Sequence, residues 1–251
     1  MPPFSVKLPV LGAATVVALP MPTEPVRATA IVMSLPMAKA LLAAILLFAS
    51  FNVLAADPKL GQEFDKTLQV INTDNPSKIE VTEIFWYGCI HCYHMDPILN
   101  AWVKKLPADV AFRRVPGLPN PSWAPMAKAF YALEDLKLSD KLHSALFDAV
   151  HKEKVLDPTN EAAITDWITK KGGVDKAKVE ASFKSFSMNN KLNQAANFFR
   201  ASGATGVPTF VINGQFVTSS TMAGGNEQAL KTVDFIVGNI RAEKAKAPAK
   251  K

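Results

Sequence analysis

Cysteine is almost absent from the chain: two in 251 residues, Cys89 and Cys92, three positions apart. A bridge between positions so close closes a very short loop and constrains little of the unfolded chain, so the pair cannot staple a fold of this size. No second pair exists to complete a four-ligand zinc site, and Cys89, Cys92 and His94 supply at most three local ligands. Tyr93 follows Cys92 where covalent haem attachment wants histidine. There is no Met- or His-rich tract to suit a copper carrier, no P-loop and no GxGxxG. Charge of one sign is missing from the body of the chain as well. Residues 57–240 hold 20 Lys+Arg and 20 Asp+Glu, and most of the overall +6 sits in 241–251, where five basic residues face Glu243 alone. That distribution argues against a nucleic-acid partner. It leaves 243–251 as a solvated, disordered basic tail.

What is present is a globular body behind a targeting segment. Hydrophobic residues make up 49% of the chain and charged residues 20%, ordinary values for one or two folded domains. From Met37 the sequence reads MAKALLAAILLFASFNVLAADPK. Lys39 supplies a weak positive start, 41–51 is an apolar run, and Val53-Leu54-Ala55 offers small residues before Asp57. The order is that of a secretory signal peptide, 37–55, cleaved after Ala55. Its apolar run is short for a membrane span, which needs about 20 residues. The proline-rich stretch 1–36 reads as an over-extended start, with initiation at Met33 or Met37; the rival is a long hydrophobic N-terminal anchor. Export implies an oxidising compartment, where a cysteine pair can exist as a disulfide.

After the leader, residues 79–87 are β-branched and aromatic and predict a strand ending at Gly88. Residues 89–105 predict a helix with Met95, Ile98, Leu99 and Trp102 on its apolar face and a kink at Pro97. A second strand follows at 110–115. A proline-rich stretch, 116–125, then opens a block of short amphipathic helices. Trp123, Met126, Phe130 and Leu133 share a face. Ser139 caps a helix burying Leu142, Leu146 and Val150, and Asn160 caps the next, which ends at Gly172-Gly173. Two more are expected at 175–186 and 187–202, the last with Leu192, Ala195, Ala196 and Phe199 inward and Gly203 as its stop. Residues 209–212 and 216–218 form a hairpin around Asn213-Gly214. A final helix runs from about 226 to 242. The helical block interrupts an α/β unit.

The chemistry concentrates in Phe85-Trp86-Tyr87-Gly88-Cys89-Ile90-His91-Cys92. A strand delivers Cys89 to a helix start, where unpaired amides and a positive partial charge favour thiolate over thiol. Spacing of three brings the two sulfurs together within one turn. Cys89 can attack or be attacked, and Cys92 can resolve the mixed disulfide. His91, when protonated, stabilises the thiolate, hence the reduced form, which makes the disulfide a stronger oxidant. Glu83 alternates with Val81 and Phe85, which puts it on the apolar side of its strand. A carboxylate there could exchange a proton with Cys92; the plain alternative is a solvent-facing strand residue. A purely structural disulfide is the alternative for the pair itself. Pro208, before the 209–212 strand, carries no local signal that singles it out.

From about Gly61 to Ile240 the sequence resembles the DsbA family of periplasmic thiol:disulfide interchange proteins. The resemblance rests on the CIHC motif with histidine before the second cysteine and Tyr93 after it. It also rests on Glu83 at the family's buried acid, the run KKLPADVAF at 104–112, and Val207-Pro208 at its cis-proline loop. It implies a thioredoxin-like fold, 57–118 and 203–242, with an inserted all-helical domain at 119–202. It implies an enzyme that donates its disulfide to reduced exported polypeptides in the periplasm. A DsbB-type quinone-linked membrane oxidase would regenerate it, with no cofactor and no metal beyond the Cys89–Cys92 disulfide. Cys89 is then nucleophile, Cys92 resolving thiol, His91 thiolate stabiliser and Glu83 proton relay. Val207, Pro208 and Ile90 shape the docking edge for the substrate polypeptide. Ile90 stands where the family commonly has proline, and the residues between the cysteines tune redox poise. Arg114 stands where the family often pairs a lysine with the buried acid, and arginine stays charged under all ordinary conditions. An isomerase or reductase of the same fold, or a non-catalytic metal- or peptide-binding chaperone, are the competing functions. About 20 residues between the cleavage site and the first strand leave no room for the N-terminal dimerisation domain of DsbC-type isomerases, so a monomer is expected.

Overall fold

The computed structural model describes residues 56–246. The leader expected at 37–55, the stretch 1–36 and residues 247–251 lie outside the described residues. Strands β2, Ile79–Phe85, and β3, Val110–Pro116, are the two β-rich runs of the first half, and they pair in parallel with Glu83 opposite Arg114. Parallel neighbours need a crossover, supplied here by helix α1, Ile90–Val103. On the other side of β2 lies β4, Thr209–Ile212, antiparallel, followed by β5, Phe216–Ser219. A two-residue strand β1, Asp65–Lys66, completes the order β1-β5-β4-β2-β3.

Between β3 and β4 the chain forms a short 3-10 turn, Pro121–Trp123, and five helices: α2 Ala124–Asp135, α3 Ser139–His151, α4 Glu161–Gly172, α5 Lys176–Phe183 and α6 Phe186–Ser202. After β5 come α7, Ser220–Ala223, and the long α8, Asn226–Lys246. Among the described residues no helix is long and apolar enough to cross a membrane.

Every side chain of β2 is buried, so both faces of the strand are covered. Ile79 and Val81 pack with Met95 and Leu99 of α1 and with Val233, Ile236 and Ile240 of α8. Phe85, farther along the same face, belongs to a second cluster with Cys92, Met126, Phe130, Leu146 and Phe147. Glu83 falls between the two.

Local chemistry fixes most boundaries. Asn160 caps α4 by accepting from the Ala163 amide, and Gly173, at φ 69°, closes it. Gly203, at φ 78°, closes α6. In the hairpin turn Asn213 and Gly214 both have positive φ, and a Cβ on Gly214 would fall 1.8 Å from the Ile71 carbonyl oxygen. Only glycine fits that position.

Four expectations are corrected. Ser139 is the first residue of α3 rather than its cap, and its hydroxyl has no partner among the described residues. The cause is a Schellman closure of α2: Lys137 turns to φ 57° and the Leu138 amide reaches back to the Leu133 carbonyl, so the next helix starts without an extended residue. Helix 175–186 stops at Phe183, because Ser185 is extended and caps α6 by accepting from the Met188 amide; α6 therefore starts at Phe186. Leu192 and Ala196 are only partly buried, whereas Ala195 and Phe199 are inside. Residues 243–246, expected in a disordered tail, continue α8, which Arg241 ties to Asp109 and Lys244 to the Lys78 carbonyl.

Candidate active site

Strand β2 ends at Phe85, two residues before its sequence pattern does, because the backbone turns at Trp86. Its last carbonyl accepts from the Gly117 amide. Two histidines of α3 then hold the next residues. The Tyr87 hydroxyl lies 2.6 Å from His143 Nδ1, and His151 donates through Nε2 to the Tyr87 carbonyl at 2.8 Å. The Trp86 indole folds over Gly88 and stacks on Trp123, centroids 4.1 Å apart. The loop into the cysteine pair is thereby pinned by aromatic and hydrogen-bonded contacts from the helical block.

Cys89 is the N-cap of α1, with extended backbone and no acidic residue in the first helical turn. Its amide donates to Trp86 and its carbonyl accepts from Tyr93. The sulfur, half-buried, thus sits at the positive end of a helix. The Cys92 thiol donates to it, the amides of Cys92 and His91 point at it, and the exposed His91 adds charge. Together these draw the Cys89 thiol from 9.0 down to about 6 against the cost of its burial. Cys92, one turn on, is fully buried. Burial, then the Cys89 sulfur and the charge of Glu83, push its thiol well above the ordinary range. Both cysteines are free thiols.

Across from the pair, the Val207 carbonyl oxygen is 3.4 Å from Cys89 Sγ, and the Val207–Pro208 bond is cis. Pro208 is buried and Val207 partly so, whereas Ile90 is 43% exposed beside Cys89. Glu83 is 2% exposed, and Arg114 donates to it through Nε at 2.9 Å. Burial raises the Glu83 carboxyl from 4.5 to about 7, with Arg114 opposing and Asp96 assisting.

A thiolate at a helix start, a proton-bearing thiol behind it and a buried carboxyl near neutrality are the parts of a disulfide-exchange site. Among known proteins, a family model for the DSBA-like thioredoxin domain matches residues 109–231. The thiol:disulfide interchange protein DsbA of Pseudomonas aeruginosa is 39% identical over 215 residues, 84% of this chain and 98% of that protein.

The chain belongs to the DsbA family.

Its counterpart in Azotobacter vinelandii is 36% identical over 189 residues, 74% of this chain and 86% of that protein. The crystal structure of P. aeruginosa DsbA matches with a TM-score of 0.71 at 36% identity, over 75% of this chain and 97% of that one. That of DsbA from Xylella fastidiosa gives 0.70 at 27% identity, over 74% and 100%. The thioredoxin-like sheet and the helical block between β3 and β4 are the fold of that family.

All seven residues singled out from the sequence meet at one end of α1. Cys89, Cys92, His91 and Ile90 lie in its first turn or cap it. Val207 faces Cys89, Pro208 is joined to it, and Glu83 lies beneath, close enough for its charge to act on Cys92. Sequence reasoning missed Tyr87, Asp96, His143, His151 and the role of Trp123. Asp96 follows Cys92 by four positions, which puts it on the same helical face and was a usable signal. His143 and His151 gave none, because their helix was read by its leucines.

Proposed function

We propose that this DsbA-family chain is a disulfide donor for reduced polypeptides exported to the periplasm, working as a monomer behind the leader at 37–55. The contrast between the two sulfurs supports this reading most directly: Cys89 is a stabilised thiolate, and Cys92 a buried thiol. In the oxidised protein a substrate thiolate attacks Cys89 Sγ. The Cys89–Cys92 bond breaks and its electron pair goes to Cys92, which takes a proton from Glu83. A second substrate thiolate then attacks the substrate sulfur of the mixed disulfide, and Cys89 leaves as thiolate. The substrate dithiol is oxidised, the pair is reduced, and the two thiol protons end on Cys92, through Glu83, and in solvent.

The Val207 carbonyl and Ile90 flank Cys89, where an extended substrate segment docks, and Pro208 fixes that edge. His91 contributes the charge that keeps Cys89 a good leaving group. Electrons pass only between sulfur atoms, those of the Cys89–Cys92 pair and of the substrate, so the proposed reaction calls on neither metal nor cofactor. Residues 119–202 act as an inserted helical domain on the thioredoxin-like part, 57–118 and 203–242. Reoxidation falls to a DsbB-type quinone-linked membrane oxidase.

The test is single-turnover oxidation of a reduced two-cysteine peptide. Oxidised wild-type protein is expected to convert one equivalent. Cys89→Ser is expected to be inert, and Cys92→Ala to accumulate mixed disulfides on non-reducing gels when given the oxidised peptide. A Cys92→Ala variant that oxidises the peptide like wild type, with no trapped species, would contradict the two-thiol mechanism.

A further inference from the structure

Behind Glu83, one cation serves two buried carboxylates. Arg114 of β3 donates through Nε to Glu83 of β2, and turns Nη2 to Asn100 Oδ1 at 2.8 Å and to Asp96 Oδ1 at 3.5 Å. Asp96 and Asn100 belong to α1. Asp96 Oδ2 accepts from Ser144 Oγ of α3 at 2.6 Å, and His143 Nε2 of the same helix is 3.3 Å from Oδ1. The Asp96 carboxylate facing Nε2 favours the ring hydrogen on that nitrogen, which leaves Nδ1 to accept from the fully buried, protonated Tyr87 hydroxyl. A neutral imidazole that accepts at Nδ1 carries its one hydrogen on Nε2, facing Asp96. Burial holds His143 in that neutral form. A cavity of about 450 Å³ opens onto Arg114, Asn100, His143 and Ser144, with Glu134 and Lys104 at its margin.

This arrangement is a competition. The charged and titratable groups around Glu83 are Arg114 of β3, Cys92 and Asp96 of α1, and Tyr87 beyond them. Whatever part of the guanidinium Asp96 engages is withdrawn from Glu83, and the Asp96 charge itself opposes ionisation of a second carboxylate nearby. Ser144 donates to Asp96 from the helical block, and His143 Nε2, 3.3 Å from Oδ1 but outside hydrogen-bond geometry, adds a close polar contact; both lower the demand of Asp96 on Arg114.

We propose that Asp96 and His143 are positioning residues: they divide Arg114 between two carboxylates and thereby set the ionisation of Glu83. That Glu83 exchanges its proton with Cys92 rests on the disulfide-donor reading; the division of Arg114 does not. The helical block, through His143, then tunes the acid under the active-site helix without touching substrate.

Infrared titration of the full-length oxidised protein reads this directly. The protonated-carboxyl band of Glu83 is assigned by its loss in Glu83→Gln. Asp96→Asn frees Arg114 and removes a negative charge, so the midpoint falls by about one pH unit or more. His143→Leu leaves Asp96 leaning on Arg114, so the midpoint rises. His143→Gln, which keeps a side-chain N–H, returns it toward wild type. Altered packing alone would not move the two midpoints in opposite directions. Unchanged midpoints, or shifts of the same sign, in variants folded by circular dichroism would overturn the proposal. If His143→Leu does not fold, Asp96→Asn decides. Peptide oxidation by the same preparations separates the two readings: midpoints that move as stated in a wild-type protein that transfers no disulfide would sink the function and leave the division of Arg114 standing.

Discussion

Cys89 and Cys92 are the same residue type three positions apart, yet their protons are held very differently. Position explains it: one caps a helix among unpaired amides, the other is one turn inside an apolar cluster. Glu83 shows the same logic. Burial keeps its proton up to about pH 7, where an exposed glutamate loses it near 4.5. Between those values the folded chain binds a proton that the unfolded chain has released, so this group lowers stability as pH rises through the window. Glu83→Gln removes that dependence. The Tm difference, variant minus wild type, is therefore expected to be more positive at pH 8 than at pH 4, by calorimetry at both; a difference independent of pH would contradict the buried-acid account. At this scale the cysteine pair and His91 were legible because their spacing is local. Glu83 was legible only as one of two options, since alternation cannot say which faces of a strand are covered. His143 was invisible because its partners, Asp96 and Tyr87, come from elements distant in the chain.

The elements followed their punctuation where it was local. Asn160, Gly173, Gly203 and Asn213-Gly214 sit where their chemistry puts them, so the helix ends and the hairpin could be read ahead. Ser139 could not, because a cap there depends on how α2 closes, and a lysine in the left-handed region is no sequence signal. The turn into α1 is the tightest element of the site. A Cβ on Gly88 would lie 2.3 Å from the Trp86 ring, which is itself stacked on Trp123. Gly88→Ala must push the indole off its partner, an overpacking cost of about 1–3 kcal/mol. Chemical denaturation is expected to show that loss, together with a changed tryptophan emission. A variant of wild-type stability and spectrum would mean that the stack does not hold the loop.

Across the whole molecule, helix α1 belongs to two cores. Met95 and Leu99 pack with α8 under the sheet, and Cys92 packs with the helical block. The cysteine pair therefore lies where the sheet and the inserted helices meet, and both contribute to its electrostatics. The thiolate at Cys89 exists only in the reduced protein, so whatever stabilises it stabilises reduction and makes the disulfide oxidising. Because the Cys89 thiol is depressed from 9.0 to about 6, this stabilisation is complete above pH 9 and is lost as pH falls through 6. The most direct measurement is the reduction potential of the Cys89–Cys92 pair at pH 7, by equilibration with glutathione buffers and readout of Trp86 fluorescence. The expected value lies well above the about −270 mV of thioredoxin and toward the about −120 mV characteristic of DsbA. A value at or below about −270 mV would contradict it, and would make the pair a reductant rather than a donor of disulfides.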